Sequence, residues 1–89
     1  MSVWYLYILE CTGGSLYTGI TTDVARRFSQ HQAGKGARYT RSHPPLRIVG
    51  TVACGTRSDA LKAELAVKRM TAVAKRAYCA NLPVVHRDD

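Results

Sequence analysis

Five residues of this chain combine types and spacing that suit cleavage of a phosphate ester. The first three stand ten positions apart and the fourth follows one helical turn later; in chain order they are Tyr7, Tyr17, Arg27, His31 and Glu64. A phenol can relay a proton, a guanidinium forks onto a phosphate, and a carboxylate can hold a divalent cation. These are the parts that hydrolysis of a phosphodiester bond requires.

Composition limits the chain to one small domain, because 89 residues with 46% hydrophobic content can bury only one modest core. The net charge of +7 is local. No acid occurs between Asp23 and Asp59, and that stretch holds seven cations: Arg26, Arg27, Lys35, Arg38, Arg41, Arg47 and Arg57. A one-sided basic segment suits a polyanion such as nucleic acid, and a surface that only aids solubility is the alternative.

Two other classes of protein are disfavoured by the sequence. No apolar run approaches the length of a membrane span, and Met1-Ser2-Val3 leads into a strand-like segment without a basic leader, so we expect a cytoplasmic protein with no membrane partner. The cysteines are odd in number, widely spaced and without a Cys-x-x-Cys pair, which encodes neither a disulfide framework nor a structural zinc site. We expect free, mostly buried thiols at Cys11, Cys54 and Cys79.

A hairpin is predicted at the start of the chain. Val3 to Glu10 is a continuous β-branched and aromatic run, typical of a central strand, and Ser15 to Ile20 returns as a second strand after a glycine turn. Tyr7 and Tyr17 then lie on neighbouring strands, where the two phenols can meet. Gly19 inside the second strand indicates a bulge or a close approach to the backbone.

A helix is predicted over Val24 to Gln32, with Asp23 as its N-cap and Gly34 beyond its end. On a helical wheel Arg27 and His31 border the apolar stripe, so both should be held near the sheet and could face the tyrosines. An exposed pair one turn apart that only supports the helix is the alternative.

The segment from Gly34 to Pro45 is rich in glycine, proline and hydroxyl residues, and we predict a loop. Its basic residues surround an aromatic ring; the set is Lys35, Arg38, Tyr39 and Arg41. Charge mixed with a stacking ring is typical of a loop that contacts nucleic acid, and a flexible connector is the alternative.

The second half predicts a third strand over Leu46 to Cys54 and a helix from about Arg57 to Met70, started by a capping box from Thr56 to Asp59. On this helix Glu64 falls between apolar positions and should face inward. Its functional interpretation competes with a structural one, a partly buried ion pair with Lys68 one turn later.

The chain ends with a short helix that Thr71 could cap and that runs through Tyr78 to Cys79. Residues 81–89 look like a tail, in which Leu82 to Val85 could add an edge strand. We therefore predict a single domain over residues 1–80 followed by this tail.

Together these residues resemble a known family. Tyr5-Leu6-Tyr7, then Tyr17-Thr18-Gly19 and the later Arg27, His31 and Glu64, are similar to the GIY-YIG nuclease domain, specifically its small stand-alone bacterial members and the catalytic domain of structure-specific junction endonucleases. The resemblance covers roughly Trp4 to Tyr78. It implies an α/β fold, with a small three-stranded antiparallel sheet flanked by helices in the order ββαβαα.

The resemblance also implies metal-dependent endonuclease activity on DNA, a possible role in DNA repair, and selectivity for structure rather than sequence. Tyr7 would be the general base or the phenol that positions water, with Tyr17 as its partner. Arg27 would hold the scissile phosphate, His31 would assist proton transfer, and Glu64 would bind one Mg²⁺ or Mn²⁺. Branched, nicked or single-stranded DNA are the expected partners, while RNA and a protein partner stay open.

Two departures from the family pattern affect this interpretation. Tyr5 replaces the first glycine of the motif, and Ile20 stands where several relatives carry a lysine that could ease deprotonation of the phenol. Because a phenol with a pKa near ~10 is a poor base at neutral pH, the metal, Arg27 or His31 must activate it.

Two hypotheses from other classes compete with the nuclease. The first is a nucleic-acid-binding module with a weak or inactive nuclease site, which would share the basic residues. The second is a protein-interaction adaptor that uses the hydrophobic segment Leu82-Pro83-Val84-Val85.

Overall fold

The structure, a computed structural model, describes residues 2–82. Within this range the chain forms a three-stranded sheet and four helices. Their bounds in chain order are β1 Trp4–Cys11, β2 Leu16–Thr21, α1 Val24–Gln32, α2 Arg38–Ser42, β3 Pro45–Gly55, α3 Arg57–Lys68 and α4 Ala72–Ala80. The predicted α/β class and the antiparallel sheet flanked by helices are confirmed.

The sheet has the strand order β2-β1-β3, and both pairings are antiparallel. The predicted hairpin therefore forms, and it places Tyr7 opposite Gly19 and Leu9 opposite Tyr17. Burial of β1 is nearly complete from Leu6 to Leu9, as expected for the central strand. Tyr7 thereby lies in the buried centre of the sheet.

The two faces of β1 contribute to separate apolar clusters, because successive side chains of a strand point to opposite sides. Leu6 and Ile8 pack with Val67 of α3. Tyr7, Leu9 and Cys11 form the other cluster, against which Tyr17, Val24 and Phe28 pack. The phenols thus lie on the α1 face of the sheet, and α3 packs mainly on the opposite face.

The helix termini follow the predicted capping chemistry. Asp23 accepts a hydrogen bond from the Arg26 N–H at the start of α1, and Thr56 and Asp59 form a reciprocal capping box at the start of α3. Helix α1 ends with Gly34 at φ +77°, where the Gly34 and Lys35 N–H groups bond back to carbonyls of the last turn. This ending directs the chain sharply back across His31.

The prediction of a loop from Gly34 to Pro45 was wrong over five of its residues, since Arg38–Ser42 forms the short helix α2. The order is therefore ββααβαα rather than ββαβαα. The physical reason is tertiary: Thr40 is fully buried, and its hydroxyl lies 2.7 Å from Nδ1 of His31 on α1. Local composition, rich in breakers on both sides, does not reveal that contact.

The remaining boundaries differ from prediction by small shifts, such as the end of α3 at Lys68 instead of Met70. The three cysteines are free thiols; Cys11 is buried, and Cys54 and Cys79 are partly buried. From residue 83 onward, the predicted tail and edge strand lie outside the described residues. Among residues 2–82, none of the helices has the length and apolar character that crossing a bilayer requires.

Candidate functional site

A buried chain of hydrogen bonds forms the centre of the site. His31 is fully buried on α1, and its Nε2 lies 2.8 Å from the Tyr7 hydroxyl. Its Nδ1 lies 2.7 Å from Oγ1 of Thr40, which donates in turn to the Ala37 carbonyl at 2.9 Å. The chain connects the central strand to α1 and to α2, so three elements must be in place for it to form.

The positions of the protons fix the direction in which each hydrogen bond of this series donates. The Thr40 hydroxyl carries one hydrogen, which it donates to Ala37, so it can only accept from His31. Nδ1 of His31 therefore carries the ring proton, and Nε2 of the neutral imidazole is the acceptor. It follows that the Tyr7 O–H donates to Nε2, and that His31 is set to receive a proton from the phenol side.

Two glycines provide the space that these rings occupy. Gly19 lies opposite Tyr7 in the sheet, and a Cβ at Gly19 would overlap the hydroxyl end of the phenol. A Cβ at Gly36 would overlap the His31 ring at Nδ1. The predicted close approach at Gly19 is thus confirmed, and Gly36 has the same function on the other side of the site.

The electrostatics of the site agree with the directed chain. Burial, and next the neighbouring Tyr17, raise the pKa of Tyr7 to about 12, while hydrogen bonding and charge from Arg27 lower it and the charge of Glu64 raises it. Burial lowers the pKa of His31, and the positive charge of Arg27 adds to that effect. At neutral pH the phenol therefore keeps its proton and the imidazole stays neutral.

Aromatic rings extend from this centre to the surface. Tyr17 packs edge-on against His31 with ring centroids 5.2 Å apart, and it lies 6.4 Å from Tyr7. Tyr39 is nearly parallel to Tyr17 at 6.1 Å, and His43 stacks on Tyr39 at 4.5 Å. We call Tyr17, Tyr39 and His43 the aromatic ladder; its outer members are exposed to solvent.

Arg27 borders the site from α1, as its helical position predicted. It is partly buried, its Nη1 donates to Gln30 Oε1 at 3.1 Å, and its charge acts on both Tyr7 and His31. A guanidinium held beside a phenol and an imidazole can donate hydrogen bonds to a phosphate oxygen.

Glu64 occupies a more peripheral place. Its side chain is only 19% exposed, and its Oε2 lies 3.3 Å from Nζ of Lys68. The inward position predicted for Glu64 and the ion pair considered as its structural alternative are therefore both present. Helix α3 packs against β2 as well as the centre of the sheet, and the Glu64 charge raises the pKa of Tyr7 as the smallest of the influences on it.

The carboxylates bear on the kind of metal that the site suits. Within residues 2–82, no three His, Cys, Asp or Glu side chains gather at one point. A protein cage is therefore absent from this part of the chain, whereas a single, partly exposed carboxylate suits Mg²⁺, which keeps several waters and shares substrate phosphates. Glu64 fits the arrangement with a single carboxylate, in which the cation would take the place of the Lys68 ammonium.

The predicted DNA-binding residues lie together on and beside α2. Lys35, Arg38 and Arg41 are exposed, and none has a carboxylate within 4.0 Å in the described part of the chain. Tyr39, at 38% exposure, belongs to the aromatic ladder. The four predicted residues thus lie on one short helix and the turn before it, and Tyr39 links this helix to Tyr17.

Sequence reasoning missed three residues that build the site: Gly36, Thr40 and His43. Sequence signals existed for Gly36 and His43 but not for Thr40. A glycine shortly after a helix that carries a histidine in its last turn can leave room for the ring, and Tyr39 and His43 stand four positions apart, the spacing of neighbours on one helix face.

Comparisons with known proteins agree with this architecture. The model of the family described as the GIY-YIG catalytic domain matches residues 3–77. A UPF0213 protein of Cupriavidus pinatubonensis is 72% identical over 79 residues, which cover 89% of this chain and 88% of that protein. A UPF0213 protein of Cupriavidus necator is 62% identical, over 92% of this chain and 89% of its own length.

Solved structures show the same fold. The solution NMR structure of a UPF0213 protein from Bacillus halodurans has a TM-score of 0.56 at 45% identity and covers 88% of this chain and 83% of its own. A solution NMR structure from E. faecalis has a TM-score of 0.63 at 37% identity, covering 100% and 97%. With its tyrosines, arginine, histidine and glutamate in the family's order, this chain belongs to the GIY-YIG catalytic domain family, a family of nucleases, and is similar to small UPF0213 proteins.

Proposed function

We propose that this protein is a metal-dependent endonuclease that hydrolyses phosphodiester bonds in DNA. The observation that supports this most is the directed chain from Tyr7 through His31 to Thr40, because it offers a buried proton acceptor next to Arg27. A purely structural hydrogen bond would need neither an unprotonated Nε2 facing a phenol nor a cation beside it. GIY-YIG nucleases generally depend on a divalent metal.

In this proposal the two phenols have different roles. Tyr7 is 2% exposed with its pKa raised to about 12, which favours Tyr17, the more exposed phenol, as the group that meets the attacking water. The resemblance alone would give that place to Tyr7. As the water oxygen bonds to phosphorus, Tyr17 orients the water, the water proton moves to the Tyr7 oxygen, and Tyr7 passes its own proton to Nε2 of His31.

The bond between phosphorus and the leaving sugar oxygen breaks, and that oxygen takes a proton from solvent. His31 becomes an imidazolium whose Nδ1–H still donates to Thr40, and it later returns its proton through Tyr7. Arg27 binds a non-bridging phosphate oxygen, where its charge stabilises the transition state.

Glu64 would hold the divalent cation, Mg²⁺ or Mn²⁺, which when bound supplies charge neutralisation at the phosphate. For this the carboxylate would exchange its partner Lys68 for the cation. Lys35, Arg38 and Arg41 would bind phosphates outside the scissile bond, which positions the substrate without reading its sequence.

The first prediction separates metal binding from ion pairing at Glu64. Glu64→Gln keeps the volume but removes the charge, so cleavage with Mg²⁺ or Mn²⁺ should fall by orders of magnitude while DNA affinity without metal persists or rises. Lys68→Met is the matched control, because it breaks the same ion pair but keeps the carboxylate, and it should retain cleavage. Cleavage rates, metal-free binding and thermal melting should be measured for all three proteins.

If both substitutions lower cleavage alike, Glu64 acts only through its ion pair. If the wild type cleaves no DNA or RNA substrate with either metal, the alternative function, a nucleic-acid-binding module with an inactive site, replaces the nuclease.

The second prediction concerns Thr40 as a positioning residue. Thr40→Val keeps the shape but removes the acceptor of His31 Nδ1–H, so the ring loses its tautomer preference. We expect Nε2–H to become populated in ¹⁵N NMR spectra of the imidazole, and cleavage to fall by up to about 100-fold, the lower part of what a positioned base contributes.

Thr40→Ser keeps the hydroxyl and should restore both properties. In the wild type, cleavage should decline only as the pH falls through the lowered pKa of His31, because the imidazole must be neutral to accept a proton. A Thr40→Val protein with an unchanged tautomer and an unchanged acid limb would show that Thr40 does not position His31.

The third prediction tests the basic surface on and beside α2. Replacing Lys35, Arg38 and Arg41 by Gln should weaken DNA binding across sequences and reduce the slope of affinity against salt concentration by about one per lost phosphate contact. Melting should change little, because all three side chains are exposed. Arg26→Gln is the matched control, since this exposed cation lies on the far side of α1. If both variants lose the same DNA affinity per removed charge, Lys35, Arg38 and Arg41 do not form a specific DNA-binding surface.

A further inference from the structure

We propose that the outer face of the aromatic ladder binds an unpaired nucleobase, so that the preferred substrate carries unpaired nucleotides next to the scissile bond. This inference rests on the proposed function, since it names the substrate class of the same site. The relevant rings are Tyr39 and His43, which the hydrogen-bonded centre of the site does not use.

The geometry of these two rings is that of a stacking platform. Their planes differ by 13° and their centroids lie 4.5 Å apart, so they form a flat pair rather than an edge-on contact. His43, the C-cap residue of α2, is exposed, and its N–H bonds to the Tyr39 carbonyl. The backbone bond therefore places His43 beside Tyr39, and stacking on Tyr39 holds its ring at the surface.

The platform is continuous with the reacting groups. Tyr39 is within 16° of parallel to Tyr17, which also packs against the buried His31. A base stacked on His43 would extend this column, and the strand attached to it would pass the opening of the site. A base inside a duplex has both faces covered by its neighbours, so away from duplex ends only an unpaired base can take this position.

Charge supports a nucleic acid rather than another aromatic ligand. Arg38 and Arg41 belong to the same helix as Tyr39, Lys35 precedes that helix, and no described carboxylate neutralises any of them. Cations beside stacked rings are the combination by which proteins hold single strands, with phosphates on the cations and bases on the rings.

The test compares the wild type with His43→Leu, which keeps side-chain bulk but removes the ring. Binding is measured without metal to a single strand, to the matching duplex, and to a duplex with one unpaired 2-aminopurine, whose fluorescence falls when it stacks. We expect the wild type to prefer the two unpaired substrates and to quench the probe. His43→Leu should lose about 10-fold in affinity for both, with the quenching abolished and duplex affinity changed less than about twofold.

Two controls keep the result interpretable. His43→Phe restores a ring without the imidazole and should restore affinity and quenching, while Ser42→Ala alters an exposed neighbour in α2 and should change neither. Thermal melting of each variant excludes a loss of folding as the cause.

The outcomes separate this inference from the proposed function. Equal losses by His43→Leu on duplex and unpaired substrates, or no quenching by the wild type, overturn the stacking site whether or not the protein cleaves DNA. Ring-dependent quenching and affinity support the stacking site, and if no substrate is then cleaved with either metal, it is the nuclease that fails.

Discussion

The structure depends most on one buried hydrogen bond, the 2.8 Å contact between the Tyr7 hydroxyl and Nε2 of His31. An imidazole removed from water is costly unless both nitrogens have partners, so the second nitrogen needs a fixed acceptor as well. Thr40 supplies that acceptor, and Gly19 and Gly36 supply space for the two rings. A β-hairpin, a helix ending and a short helix are thus all shaped around a single contact.

The sequence was informative about this arrangement where the determining forces are local. The hairpin, the caps at Asp23, Thr56 and Thr71, and the face of α1 that carries His31 follow from periodicity and capping chemistry, and each is confirmed. Helix α2 was missed because its cause is the burial of Thr40 against a ring nine positions earlier. No local pattern in a segment rich in glycine and proline records such a contact.

Glu64 shows a different limit of sequence reasoning. Helical periodicity identifies the face on which a side chain lies, and the low exposure of Glu64 agrees with the inward position assigned to it. Periodicity does not decide between partners on that face. Lys68 and a divalent cation suit the same carboxylate oxygen, so the ion pair is compatible with a role of Glu64 as a metal ligand. The two roles differ in what they require, because metal binding needs the carboxylate charge whereas the ion pair also needs Lys68.

The distribution of charge explains why a phosphate could approach this site at all. Glu10 is held by Arg47 and Arg76, and Asp59 is used in the capping box of α3, so these carboxylates are neutralised or turned to structural use. The exposed cations on and beside α2 are left without such partners in the described part of the chain. These cations therefore attract phosphate to the surface beside the site, while the buried phenol and imidazole stay neutral and pre-organised behind it. Such a division lets the surface adapt to its ligand without disturbing the geometry on which proton transfer would depend.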